Sequence, residues 1–517
     1  MGALSGHPRG LYMLFFAEMW ERFSYYGMRA LLVLYMTQGF LKYNDENAYA
    51  IYGAYTGLVY AAPVIGGLLA DQILGYRRAI ILGGTLMALG HLLMTQENSF
   101  MFFTALALII CGNGFFKPNI SSVVGQLYEE GDPKRDSGFT IFYMGINLGA
   151  GLAPILCGLV AEYFGRTSMI DGKEVVEKAF HYGFGLATIG MILGLIVFIL
   201  GQGVLGDRGL PPSQEKLKKW GLPIYVSSIL IAPMIGMLLQ YHSAVGYLLI
   251  GTGILTLGSL FAVALREEKV ARQRMFVVFA LMFFQMVFWS FFEQAGSSLT
   301  LFAERNVHRT ILGNEVPSAA LQSVNPIFIW IFGPLFAGLW MKLDAKRRDP
   351  SAPTKFGLGL LQLGLGFGAI WLGAKLADSQ GMVLLVFLIL GYMLHTTGEL
   401  CLSPVGLSMV TKMAPGRIVG MVMGAWFLST AFANYLAGII ASFTGVGEGH
   451  GGGDSAAAAA SESVRIYGDV FGKIAVAAIV VSLLAFALSP ILSKWMHMDK
   501  IVKPRDGHLT DVHEELA

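Results

Sequence analysis

The chain reads as a succession of apolar runs, each long enough to cross a hydrocarbon core about 30 Å thick. They fall near 11–40, 48–74, 79–96, 100–124, 138–164, 181–205, 219–241, 245–266, 272–303, 317–342, 356–376, 382–411, 417–446 and 467–497. The pattern predicts an all-α, polytopic membrane protein with about fourteen transmembrane helices. An even number of crossings places both termini on one side. About 24 of the 36 Lys and Arg lie in the termini and in the loops on that side, and about 9 lie opposite. Basic residues collect on the cytoplasmic side, so both termini are expected in the cytoplasm. The stretch 446–466, with Gly-rich and poly-Ala runs, reads as an external, flexible loop.

Fourteen crossings divide unevenly. The two runs between Trp220 and Leu265 carry no charged residue and only His242 at their tip. Setting this hairpin aside leaves six runs before and six after, the arithmetic of a two-half transporter. The expected organisation is a six-helix bundle over 1–205, a linker and inserted hairpin over 206–271, a second bundle over 272–500, and a cytoplasmic tail over 501–517.

Composition agrees with this picture. Hydrophobic residues make up 55% of the 517 positions and charged residues 14%, against about 25% charged in soluble domains. A formal charge of +2 gives no case for nucleic acid. Cys111, Cys157 and Cys401 all lie within apolar runs, and no spacing suggests a disulfide framework, a metal site or a cofactor. Residues 1–10 carry no cleavable signal peptide.

The charges that remain inside the apolar runs are therefore informative, because each costs roughly 2.5–3.5 kcal/mol at a helix centre. Glu18, Arg22, Tyr25 and Arg29 form a stripe along one helix, flanked by Glu21 and Tyr26. Lys117, Glu293 and Glu399 add one charge each in three other spans. Span 1 answers span 7, and span 4 answers the fourth span of the second half. That placement suits a central site between two bundles. Four acids (Glu18, Glu21, Glu293, Glu399) stand against three bases (Arg22, Arg29, Lys117), so one proton would make the set neutral. The residues alone thus point to a proton- or ion-coupled transporter of a polar, zwitterionic solute. No nucleophile elbow, HExxH pair or phosphate loop suggests an enzyme, and two matched halves argue against a channel.

The motifs carry a resemblance as well. Gly66-Gly67-Leu68-Leu69-Ala70-Asp71 followed by Gly75-Tyr76-Arg77-Arg78 resembles the signature loop of the major facilitator superfamily. Glu18-Met19-Trp20-Glu21-Arg22-Phe23-Ser24-Tyr25-Tyr26-Gly27 closely resembles the ExxER–FxYYG stretch of the proton-coupled oligopeptide transporter family, in which the extra hairpin is typical of bacterial members. Phe115–Asn119, Phe142–Gly149, Phe291–Gln294, Gln322–Pro326, Gly398–Gly406 and Trp426–Ser429 extend the likeness over nearly the whole chain.

The resemblance implies a major facilitator fold in a bacterial inner membrane and symport of di- and tripeptides with protons. It implies that Arg29 and Lys117 receive the peptide carboxylate, and that Glu399, with Asn147 and Asn325, faces the amino terminus. Tyr25, Tyr26, Tyr60, Trp289 and Trp426, with Ser429, would line side-chain pockets. Arg29–Glu293 and Lys117–Glu399 would be an outer and an inner gate pair. Glu18, Glu21 and Arg22, with Glu293, would couple proton movement. Span 2 lacks the histidine that some members carry, so coupling should rest on carboxylates. Asn147 and Asn325 read equally well as helix–helix hydrogen-bond partners, and His395 as a packed histidine. A carrier of another small solute, such as nitrate or a drug, is the alternative. Oligomeric state stays open.

Overall fold

The computed structural model describes residues 6–129, 132–170, 173–446 and 456–498. The expected cytoplasmic tail at 501–517 lies outside them, as does the Gly-rich stretch 447–455. The N-terminal half comprises α1 (Arg9–Gln38), α2 (Asp45–Leu69, extended by a π turn over Ala70–Leu74), α3 (Tyr76–Leu93), α4 (Ser99–Gln126), α5 (Arg135–Tyr163) and α6 (Phe180–Gly201). Next come α7 (Gln214–Leu230), α8 (Ala232–Gln240) and α9 (His242–Arg266). The remainder is α10 (Lys269–Phe292), α11 (Ser298–Asn306), α12 (Val324–Ala345), α13 (Ala352–Lys375), α14 (Leu385–Met413), α15 (Val419–Ser442) and α16 (Ala456–Trp495). Sheet among the described residues is confined to three two-stranded ribbons, the longest pairing β1 (Arg166–Ile170) with β2 (Lys173–Glu177) between α5 and α6.

Among the described residues, twelve helical segments are long and apolar enough to cross a membrane. The two further crossings expected from the sequence are α1 and α3. Composition masks them: α1 carries the charged stripe, and α3 opens on Arg77-Arg78 and holds His91. Local chemistry fixes several starts. Asn44 accepts the backbone N–H of Asn47 at 2.9 Å, and Asn98 that of Met101 at 3.0 Å, so the starts of α2 and α4 are capped.

The helix pairings repeat. In the first set α1 packs on α5 and α6, α2 on α4, and α3 on α4 and α6; in the second α10 packs on α15 and α16, α12 on α14, and α13 on α14 and α16. The two sets meet where α2 touches α15 and α5 touches α12. Exchanging each helix for its counterpart turns one of these contacts into the other, so a pseudo-twofold relates the halves. The hairpin α7–α9 lies outside both sets, against α4 through α8 and against α2 and α15 through α9. Its outer face is apolar and exposed, with Leu222, Leu230, Met234, Tyr247, Ile254 and Leu255 bare, as a lipid-facing element requires.

Three expectations change. The seventh run is broken at Ile231 into α7 and α8, with Pro233 in the first turn of α8. The poly-Ala run is helical from Ala456 onward, forming the start of α16 rather than a loop. The ninth run is interrupted by a 3-10 turn at Glu293–Gly296, and the tenth opens on one at Ser318–Ser323. Both turns border the central cavity.

Candidate functional site

A cavity of about 210 Å³ lies between the two halves. From the N-terminal half, Tyr26, Arg29, Tyr60 and Asn147 reach its wall; Trp289, Glu293, Asn325 and Glu399 come from the other half. Eight of the residues singled out in the sequence thus share one chamber. Tyr143, Gln322, Phe292 and Tyr392 also line it. They were not assigned roles, although Tyr143 lies one turn before Asn147 and Tyr392 two turns before Glu399, which puts each on the same helix face.

Arg29 on α1 forms an ion pair with Glu293 across the halves. Its Nε donates to the hydroxyl of Tyr52 on α2 at 2.7 Å. Glu293 sits at the point where α10 gives way to the 3-10 turn. Glycine is needed at Gly296, since a Cβ there would lie 1.9 Å from the Tyr52 hydroxyl oxygen and 3.0 Å from Arg29 Nη2. Opposite, Asn325 Nδ2 donates to Glu399 Oε2 at 2.9 Å and to Thr396 Oγ1 at 3.0 Å. Asn147 Nδ2 donates back to the Tyr143 carbonyl at 3.0 Å.

Lys117 and Glu399 are not brought together here. The Lys117 ammonium instead lies 4.3 Å from the centre of the Tyr60 ring, a cation–π contact that screens it from the cavity wall. Tyr25, Trp426 and Ser429 stand behind the wall. Tyr25 is buried, with its hydroxyl unpartnered among the described residues. Ser429 donates to the Trp426 carbonyl at 2.7 Å. His395 is on the wall, packed against Phe367 at 4.5 Å between ring centres.

Below the cavity on α1, Arg22 Nε lies 2.9 Å from Glu18 Oε1 and 2.5 Å from Glu21 Oε2. The side chain stands within ion-pair distance of both carboxylates, closer to that of Glu21, and all three are buried. Gly149 lets α5 pack closely against this stretch of α1, because a Cβ there would meet the Met19 carbonyl oxygen at 2.2 Å and Arg22 Cβ at 3.1 Å. In the signature loop, Arg77 Nε donates to the Arg208 carbonyl at 2.6 Å and Nη2 to that of Gly206, so this arginine holds the linker after α6.

A second set of charges crosses the halves at the end of the bundle where α1 turns into α2, called the far end below. Arg305 on α11 donates two bonds to Asp45 on α2, at 2.5 and 2.7 Å. Lys178, just before α6, lies 2.5 Å from Glu304 on α11 and 3.5 Å from Glu162 on α5. Tyr49 and Tyr467 join hydroxyls at 3.3 Å beside them. Sequence reasoning passed over Asp45, Lys178, Glu304 and Arg305. The adjacent acid and base ending a span were a signal, but their partners lie more than a hundred positions away.

The family model described as the POT family matches residues 77–456. The chain belongs to the POT family. It is 36% identical over 519 residues to an uncharacterised transporter of Bacillus subtilis (strain 168), covering 95% of each chain. It is 33% identical to a dipeptide and tripeptide permease B of Edwardsiella piscicida, covering 97% of each. Among solved structures, a mutant of a POT peptide transporter in complex with alafosfalin matches with a TM-score of 0.80 at 38% identity, over 96% of this chain and 97% of that one. A POT family transporter in complex with 5-aminolevulinic acid matches with a TM-score of 0.78 at 32% identity, over 95% and 98%. This POT family member therefore has the major facilitator fold of those transporters.

Proposed function

We propose that this protein is a proton-coupled symporter that imports di- and tripeptides by alternating access. The observation that carries the reading is the charge layout of the cavity: a guanidinium on one half and a carboxylate on the other, Arg29 and Glu399, with amides and rings between them. A zwitterion can be held by both ends in such a chamber, while Tyr26, Tyr60 and Trp289 accept varied side chains. The permease named for dipeptides and tripeptides supports that cargo.

In this reading the halves are 1–205 and 272–500, with the segment 206–271 an accessory element. Both termini face the cytoplasm of a bacterial inner membrane, so the far end is external. Arg29–Glu293 closes the external end in the state described. Lys117 leaves the Tyr60 ring for Glu399 when the cytoplasmic end closes. Glu18 and Glu21, sharing Arg22, take the coupling proton; losing one negative charge weakens the cluster and frees α1 to move against α5.

The test is uptake into proteoliposomes. Dialanine should accumulate when the pH is lower outside, and nitrate or sugars should not compete. Glu18→Gln and Glu21→Gln should abolish driven uptake while leaving peptide binding and some peptide exchange. Full driven uptake in the double variant would move the proton site away from α1.

A further inference from the structure

Tyr52 is buried to 1% exposure and is not part of the cavity wall, yet it touches the group on which cargo recognition turns. The guanidinium of Arg29 is a planar fork whose donors point along fixed edges. Its Nε–H is given to the Tyr52 hydroxyl at 2.7 Å, and Nη2 to Glu293. Together these bonds occupy the Nε–Nη2 edge. They leave Nη1 and the second Nη2 proton for a carboxylate entering the cavity. The Tyr52 and Tyr26 rings lie 5.9 and 5.8 Å from the Arg29 Cζ, so the fork is also flanked by rings. Gly296 closes the arrangement from the other half, since its missing Cβ is what admits the Tyr52 hydroxyl.

We propose that Tyr52 is a positioning residue: its hydroxyl fixes the rotation of the Arg29 guanidinium, and so sets the preference of the cavity for cargo with a free carboxyl end. This rests on the peptide reading above. Without the hydroxyl, the fork would turn to present its Nε edge wholly to Glu293, and the edge facing the cavity would lose its alignment. A guest carboxylate would suffer from that; a guest with a neutral amide there would not.

The experiment compares Tyr52→Phe with wild type in competition against labelled dialanine, using dialanine and its C-terminal amide as probes, with maximal uptake rate measured alongside. Losing one aligned hydrogen bond to a charged group predicts about a tenfold weaker apparent affinity for dialanine. Affinity for the amide and the maximal rate should change less than about twofold, well under the 1.4 kcal/mol that a tenfold change represents. In an Arg29→Lys background, which has no Nε–H to orient, Tyr52→Phe should add nothing. Gly296→Ala, which crowds the hydroxyl from the opposite side, should reproduce the selective loss. Equal weakening toward both probes, or full additivity with Arg29→Lys, would overturn the positioning role while leaving the peptide reading intact. A wild type that takes dialanine and its amide alike would end both.

Discussion

The two ends of the bundle are built differently, although the same helices run through both. At the far end α2 and α15 touch backbone to backbone: a Cβ on Gly438 would lie 2.6 Å from the Gly53 Cα. Toward the other end of α15, Gly420 and Gly424 have nothing within 4 Å of where a Cβ would stand. On α5, Gly158 is close to Pro317 and Ala319 at the far end, while Gly333 and Gly338, farther along the partner helix α12, face open space. The far end also carries the charge pairs that cross the halves: Arg29–Glu293, Arg305–Asp45 and Lys178–Glu304. Among the described residues the two halves thus approach closely at the far end, and the glycines toward the other end have open space beside them. Sealing combines glycines, which allow contact, with paired charges, which give that contact a preferred register and can be released. Burial without a partner would cost each ion several kcal/mol, so the pairs favour the closed arrangement mainly by what it would cost to break them singly.

That contrast can be broken most severely at Arg29. Arg29→Ala leaves Glu293 buried without its partner, and uptake should fall by about a hundredfold or more, the consequence of a penalty of ~3–5 kcal/mol. Exchanging the pair, Arg29→Glu with Glu293→Arg, should restore far-end closure in a crosslinking assay without restoring peptide uptake, because the cargo contact is lost.

A smaller effect is expected at the glycines. Gly438→Leu inserts a side chain where α2 admits none, and overpacking of this kind costs ~1–3 kcal/mol. Melting in detergent should drop by several degrees. Gly424→Leu, on the same helix but in open space, should leave the melting point within about one degree. Equal losses would mean that the two ends are packed alike.

Lys178→Ala and Glu304→Ala probe the second latch. Both side chains are about 14% and 13% exposed, so each substitution should cost ~2 kcal/mol, between the surface and buried limits. The readout is faster thiol labelling of a cysteine placed at Tyr49, the half-to-half hydroxyl contact beside the latch. A double variant no worse than either single one would show that the two residues act as a pair.

The smallest effect lies outside the membrane. Backbone N–H groups, that of Met382 foremost, and the His308 ring bond to the Asp378 carboxylate on the loop before α14 and hold its pKa below the ordinary value. A depressed carboxylate pKa contributes stability that is present above its unfolded value, near 4, and fades as pH falls through the folded value. Asp378→Asn should therefore matter slightly at neutral pH and progressively less as pH falls below about 4, by melting across that range.

Much of this was legible in the sequence, for a physical reason. A charge within an apolar run stands out because the bilayer makes it costly, and helical periodicity then assigns it a face. That is how Glu18, Glu21, Arg22 and Arg29 could be grouped, and how Glu293 and Glu399 could be placed in one chamber with Arg29. Asp45, Lys178, Glu304 and Arg305 carry no such mark, since charges near span ends are ordinary there and only the fold pairs them across the halves. Tyr52 was hidden among many rings, and Gly296 among 65 glycines. The resting place of the Lys117 ammonium over the Tyr60 ring was also invisible, because only the fold brings α4 and α2 to that distance. The poly-Ala run was misread because flanking glycines outweighed alanine's own helix preference.

The central claim is that one cavity is sealed at alternate ends. Distances between spin labels test it directly, with one pair at Glu46 and Arg465 across the far end and another at Arg135 and Lys412 across the opposite end. All four positions are exposed. Adding saturating dialanine at acidic pH should lengthen the first distance and shorten the second in the same sample. Two distances that stay fixed, or that move in the same direction, would contradict the account.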